Sequence, residues 1–476
     1  MWRVLSGPLA FLAVWATPLA GLNAQAHFGL SAFAWTLAWW VLTPVPWAVT
    51  GFLPLVLFPL GGVMSFAATA ALYGQRLLPF VLGVMLFGHA FQKHGLARRM
   101  ALNILSIPGL ATSGNRLILM ILVSSAVVGT LIDTAGTVAI MLPIAMSVAR
   151  FAADAEAHNL TATAGKAPRL MEASALAVLF GGAAGGMATP AGVVFTPLTI
   201  SILDNLTGYR ISFAQWTLTG VFLTAAAIPV YFTTLRFMSP TEIKSLADGA
   251  SHFQGEKRAL GPMNRGEKNV LFILILMVAL WFSPTVVTIP GIDIWIVPTF
   301  AILLLFLIPV NAARGEMTLT TRDFQDGVLW NVLFMIVSSA AAADALEPLG
   351  ITEWFGGIVK SGVSLAVLPW FTAAITPVMA HLTSGTAATT MASTILFPLA
   401  QDLGFNPAIL ARIISGTALG ICFPFAGAAA GTAFASGVIS FSGMAKAGIV
   451  ATIVMAIIVT VLSMLLVPAL GAYTAP

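Results

Sequence analysis

Ile132-Asp133-Thr134-Ala135-Gly136-Thr137 is the stretch on which the fold turns, and the apolar run from Val138 to Val148 follows it directly. A second stretch, Thr383-Ser384-Gly385-Thr386-Ala387-Ala388-Thr389-Thr390, reads as its internal copy. Each is small, hydroxyl-rich and glycine-containing. Each leads into an apolar segment that holds a proline, Pro143 in the first and Pro398 in the second. Small residues let backbone approach a ligand, and hydroxyls supply donors and acceptors without charge. Two such breaks, one in each half of a membrane protein, are the pattern of a transporter site built from an internal repeat.

The composition agrees with a membrane setting. Of 476 residues, 59% are hydrophobic and only 8% charged, where a soluble domain carries about 25% charged residues. That excludes an ordinary cytosolic enzyme. Apolar stretches long enough to cross a ~30 Å hydrocarbon core recur from end to end. The 43 glycines and 27 prolines suit broken, closely packed membrane helices better than soluble ones. The single Cys422 excludes an internal disulfide framework and a cysteine-rich metal site. The net charge of +4 is no sign of nucleic acid, because the basic residues sit beside hydrophobic spans. Met1-Trp2-Arg3 and the apolar run after it imitate a signal peptide. The run passes straight into further spans, so a retained first helix is expected.

Taken in order, spans are expected at about 6–22, 28–44, 47–70 and 77–95, with Pro44, Pro46, Pro54 and Pro59 dividing the second and third. Residues 113–131 and 138–150 flank the Asp133 stretch as the short arms of a re-entrant hairpin. One broken helix is expected over 170–206, interrupted at Gly185-Gly186-Met187-Ala188-Thr189-Pro190-Ala191-Gly192, and a full span over 213–235. Residues 237–268, with Lys244, Lys257, Arg258, Arg265 and Lys268, form a polar linker between a first repeat (1–236) and a second (269–476). The second repeat has spans at 269–286, 291–310 and 329–347, a hairpin at 366–402 and a last span at 446–470. Its broken helix, 406–439, is interrupted at Phe423-Pro424-Phe425-Ala426-Gly427-Ala428. The expected class is an all-α polytopic membrane protein of about eleven transmembrane helices, made of two inverted repeats.

With the N-terminus and the 237–268 linker placed in the cytoplasm, all of the 21 Lys and Arg except Arg76, Arg210, Lys360 and Arg412 fall on the inner side. That asymmetry orients the chain in a bacterial-type inner (plasma) membrane. It also brings the two hairpins in from opposite faces, as inverted repeats require.

At this point the chain resembles the divalent anion–sodium symporters, the dicarboxylate and citrate carriers of the ion transporter superfamily. The resemblance covers nearly the whole length. It rests on Gly185-Gly186-Met187-Ala188-Thr189-Pro190, on Gly437-Val438-Ile439-Ser440-Phe441, and on Met444-Ala445-Lys446-Ala447-Gly448-Ile449. The spacing from Asp133 to Pro143 also fits. The resemblance implies a homodimer whose hairpins and broken helices move as an elevator against a scaffold. It also implies two Ser-Asn-Thr signatures that bind substrate carboxylates, with sodium held nearby by backbone carbonyls. Here the first signature aligns with Asp133-Thr134-Ala135 and the second with Ser384-Gly385-Thr386. The family's Thr-Pro-Pro-Asn is replaced by Val193-Val194-Phe195 and by Ala428-Ala429-Ala430.

The expected substrate contacts are therefore Thr134, Ala135, Thr137, Ser384, Gly385, Thr386, Pro190 and Pro424, with Thr389 also weighed. The expected ion-coupling residues are Asp133, Thr134, Thr189, Gly192, Thr383, Ser384 and Ala426. A carboxylate at membrane depth needs a cation, a proton or strong donors, so Asp133 is read as a sodium or proton ligand. A plainer reading makes it only the cap of the following half-helix. The hydroxyls have plain readings as well, as back-bonding or packing groups, and Pro190 and Pro424 could be mere kinks.

Asp204, Asp344 and Glu172 are expected at span ends, facing water or loops. His89, His94 and His381 lack metal-ligand spacing, although His381 lies three residues from Ser384. Trp39, Trp40, Trp281 and Trp295 read as interface anchors or lipid-facing bulk. The leading function is sodium-coupled symport of a small organic anion, carboxylate or dicarboxylate in class, with no organic cofactor and no ATP-binding motif. The alternatives are proton-coupled or exchange transport, antiport of a cationic cargo, a passive channel, and an intramembrane enzyme. No nucleophile or metal constellation supports the last.

Overall fold

Proline and glycine decide where the helices of this protein start and stop. The computed structural model describes residues 2–107, 113–159, 167–241, 249–287, 289–351, 354 and 364–470. Lys244 and Lys360 lie outside the described residues. The first half contains α1 (Trp2–Ala16), α2 (Ala24–Leu42), α3 (Trp47–Thr50), α4 (Leu53–Leu60), α5 (Phe66–Tyr73) and α6 (Leu77–Lys93). It continues with α7 (Leu96–Leu105), α8 (Gly114–Gly129), α9 (Thr134–Asn159), α10 (Ala167–Gly186), α11 (Phe195–Thr207) and α12 (Phe213–Met238).

After α13 (Gly249–Ala259) come α14 (Arg265–Phe282), α15 (Ile296–Leu307), α16 (Thr321–Asp326) and α17 (Trp330–Leu346). The chain ends with α18 (Leu368–Leu382), α19 (Gly385–Asp402), α20 (Pro407–Thr417), α21 (Ala428–Ala435) and α22 (Phe441–Ala469). Among the described residues, four helical runs are long and apolar enough to cross a membrane: Phe66–Lys93, Phe213–Met238, Arg265–Thr285 and Phe441–Ala469.

Several expected boundaries move for visible reasons. The span expected at 47–70 is three short helices: Pro54 sits in the first turn of α4, where its missing N–H costs nothing, and Gly62 turns the chain at φ 65° after α4. The second arm around Asp133 is 26 residues long, although its apolar part ends at Ser147. The polar linker contains the helix α13. The class is not wholly helical. Strands β1 (Pro309–Asn311) and β2 (Glu316–Met317) pair antiparallel after α15.

Trp40, Trp281 and Trp295 are buried rather than set at an interface. Trp281 lies flat against Phe213, ring centroids 3.9 Å apart. Arg412, expected outside the membrane, is also buried, at 2% exposure. Its guanidinium sits 4.2 Å over the Trp216 ring and donates to the Met187 carbonyl at 3.0 Å. A stacked, delocalised cation with a carbonyl acceptor is one of the few forms in which a charge is tolerated at such a place.

Helices α8 and α10 pack closely along a line of glycines. A Cβ on Gly185 would lie 2.1 Å from the Ala126 carbonyl oxygen, and one on Gly181 would lie 2.4 Å from that of Leu122. Only glycine allows this approach, which places backbone directly on backbone. Elsewhere, Lys93 and His89 both reach the Asp323 carboxylate, and Arg99 pairs with Glu267 at 2.7 Å. These ion pairs tie α6 and α7 to the second half of the chain.

Candidate functional site

Helix α9 starts at Thr134 because Asp133 caps it. The Ala135 amide donates to Asp133 Oδ2 at 2.9 Å, satisfying one of the free donors of a helix N-terminus. Helix α19 starts one residue after Ser384 for the same reason. Ser384 is extended at φ −161°, ψ 160°, and its hydroxyl accepts from the Ala387 amide at 3.1 Å. Gly385, the first residue of α19, leaves room for Phe195, whose ring would lie 2.8 Å from a Cβ there.

The two caps, 251 positions apart in sequence, open on one cavity of about 150 Å³. Its walls are residues 133–135 and 384–386, the interruptions 193–195, 418–421 and 426–430, and Trp47, Leu329, Val332 and Met335. Asp133, Thr134, Ala135, Ser384, Gly385, Thr386 and Ala426 thus come together.

The other expected residues do not line this cavity. Thr137 is fully buried with its hydroxyl donating to the Ile132 carbonyl at 3.4 Å, and Thr389 is fully buried in α19. Thr189 donates to the Thr130 carbonyl at 2.6 Å. Gly192 packs on the backbone of Gly129, and Thr383 bonds back to the Met379 carbonyl at 2.7 Å. Pro190 and Pro424 lie in the interruptions, where the missing N–H prevents a continuous helix. Thr134 lines the cavity while its hydroxyl donates to the Gly182 carbonyl at 3.4 Å.

His381 is not at the cavity either. Its Nε2 accepts from the Cys422 amide at 2.8 Å and its Nδ1 contacts the Pro377 carbonyl at 2.6 Å, so it supports the break that follows α20. Glu172 accepts from the Ser440 amide and hydroxyl at 2.8 and 2.7 Å, at the start of α22.

Charge on the cavity wall is concentrated in one group. Asp133 is the only ionisable side chain among the described wall residues. Its carboxylate accepts from the Ala135 amide, with the Thr134 and Val194 amides also turned toward it. Val194 immediately precedes α11, so the starts of two helices meet at one side chain. The residues that follow the C-terminal end of α20 also reach the wall, at Ala418 to Ile421. Carbonyls at such an end carry partial negative charge and suit a small cation.

Sequence reading missed three groups: Val194, Arg412 and Asp344. A lone arginine inside Ala408-Ile409-Leu410-Ala411-Arg412-Ile413-Ile414 was the available signal for the second. Asp344 is not at a water-facing end. It accepts from Gln75 and Asn205, and its Oδ1 is buried.

Residues 1–472 match the family described as the sodium:sulfate symporter transmembrane region. The chain belongs to that family. Its members are membrane transporters, not enzymes, and this protein is one of them. The sodium-dependent dicarboxylate transporter SdcS of Staphylococcus aureus is 26% identical over 442 residues, covering 90% of this chain and 84% of the relative. The same protein from the bovine RF122 strain is 26% identical over 470 residues, with 96% and 89% covered.

Two solved transporters share the fold at 12% identity. The Alcanivorax borkumensis YdaH transporter aligns at a TM-score of 0.53 over 97% of this chain and 96% of its own. Neisseria gonorrhoeae MtrF, described as illuminating a class of antimetabolite efflux pumps, aligns at 0.54 over 95% and 97%.

Proposed function

We propose that the protein is a sodium-coupled secondary carrier of a small organic anion, carboxylate or dicarboxylate in class. The observation that carries this reading is the meeting of Asp133–Ala135 and Ser384–Thr386, from the two halves of the chain, on one cavity. The relatives named as sodium-dependent dicarboxylate transporters support the same class of cargo and ion. In this reading the Ser384 and Thr386 hydroxyls and the start of α19 hold the carboxylate. Sodium is a co-transported substrate, taken by Asp133 together with wall carbonyls after α20.

The same reading divides the chain into repeats at 1–236 and 269–476. The hairpins are about 113–150 and 366–402, and the broken helices about 170–206 and 406–439. These parts move as an elevator against the remaining helices, of about eleven spans in all. The carrier works as a homodimer in a bacterial-type plasma membrane, with the N-terminus and the 237–268 linker cytoplasmic.

The test is thermal stabilisation of the purified protein by a panel of carboxylates in sodium, in potassium and at low pH, since a ligand of the folded state raises stability by mass action. Stabilisation that requires sodium is expected. In Asp133→Asn the sodium requirement should disappear. Stabilisation that follows pH and ignores sodium would replace the symporter with a proton-coupled carrier.

A further inference from the structure

The cavity already contains one carboxylate, and it belongs to the protein. Asp133 is on the wall, where it accepts from the Ala135 amide at 2.9 Å and the Thr134 and Val194 amides are turned toward it. Donors that face a cavity from the first turns of α9 and α11 are the natural seat of an anion, and here a tethered anion occupies it. The rest of the wall is different. The start of α19 offers Ser384, Gly385 and Thr386, and the segment leading into α21 offers Ala426 to Ala430, with no acidic side chain in either.

We propose that the cargo is a monoanion: a small monocarboxylate whose one carboxylate binds on the Ser384–Thr386 side, while Asp133 permanently fills the place of a second. This rests on the anion-carrier reading above and narrows it. A dicarboxylate would bring its second charge against Asp133, and like charges within a water-poor cavity repel strongly. The wall provides no lysine, arginine or histidine among its described residues to offset that charge. The buried Arg412 is committed to Trp216 and the Met187 carbonyl. Charge carried through a membrane is also costly. One monoanion and Asp133 are balanced by two monovalent cations, whereas a dianion with Asp133 demands three.

The experiment compares two probes of nearly the same shape, succinate and its monoamide succinamate, by calorimetric titration of the full-length protein in sodium at neutral pH. Succinamate is expected to bind about tenfold more tightly, or better. In Asp133→Asn the order should reverse, because the fixed charge is gone and an amide remains to take a second carboxylate. Asp133→Ser keeps a capping oxygen and serves as a second, independent reversal should the asparagine variant not fold. Tighter binding of succinate by the unaltered protein would overturn the proposal while leaving a sodium-coupled anion carrier intact. The same preference in the unaltered protein and in both variants would also overturn it, by removing Asp133 as the cause. If neither probe binds in sodium and no other carboxylate does, the anion-carrier reading fails and takes this one with it.

Discussion

The Asn205 side-chain amide donates to Asp344 Oδ2 at 2.9 Å, joining α11 to α17 beside the turn that separates α5 from α6. Gln75 Nε2 reaches the same oxygen at 2.8 Å, and Arg76 donates to Asn205 Oδ1 at 3.1 Å. Asn205 is therefore the hub of a polar cluster that joins α11, α17 and the turn between α5 and α6. Asn205→Ala should destabilise the fold by about 1–3 kcal/mol, the usual cost of leaving buried polar partners unpaired. Thermal unfolding in detergent measures it. A transition unchanged from wild type would show that the cluster is merely solvated.

At the cavity, Ser384→Ala with Thr386→Ala should weaken cargo binding by about tenfold or more, the size of a lost pair of neutral hydrogen bonds. Loss of the Ser384 cap adds a stability cost of about 0.5–2 kcal/mol. Affinity and stability must therefore be measured separately, by titration and by unfolding. Full affinity in the double variant would remove this loop from the site.

Gly220 tests the packing around Arg412. A Cβ there would lie 2.4 Å from Arg412 Nη2 and 2.2 Å from the Ala188 carbonyl oxygen. Gly220→Ala should cost about 1–3 kcal/mol through overpacking, and lower the yield of folded protein in membranes. A variant as stable as wild type would mean that α12 and the 187–194 break can separate freely.

The acid limb of stability should depend on Asp323. Burial alone would raise its carboxyl, but bonds from Lys93, Thr320 and His89 outweigh that and hold it well below the usual carboxylate range. The folded value is the lower one. Its contribution is therefore present in full above the ordinary Asp value of about 3.9 and is lost as pH falls through that region. The melting temperature of wild type should drop more steeply between about pH 5 and pH 3 than that of Asp323→Asn. Parallel curves would remove the Asp323 pairs from the acid response.

What the sequence revealed, and what it hid, follows from how far each signal reaches along the chain. Ser384 and Asp133 were legible because small, hydroxyl-bearing breaks between apolar runs are local patterns. The interruptions at Pro190 and Pro424 were legible through proline's missing donor. That the 137, 189 and 383 hydroxyls turn to backbone rather than line the cavity was not legible, because a threonine in such a segment has two uses and only the backbone path decides between them. Thr189 turns to the Thr130 carbonyl and Thr383 to that of Met379. Val194 was illegible, since its contribution is an amide proton that any residue but proline would supply. The burial of Asp344, expected near a span end, and of Arg412, expected on the outer side, was illegible because their partners, Asn205 and Trp216, are more than one hundred positions away in sequence.

The glycine seam between α8 and α10 has a bearing on how this protein can be altered. Carbonyls of Leu122 and Ala126 sit in the space that side chains at 181 and 185 would fill, so neither helix can slip along the other by a fraction of a turn. Asp133 follows the end of α8, and the 187–194 break follows that of α10. The seam thus acts as a ruler, fixing the spacing of the two helix ends from which those segments start. A library of variants should find tolerance around the cavity wall long before it finds any along this line of glycines. New cargo preferences are open to selection; the spacing of the first anchor is not.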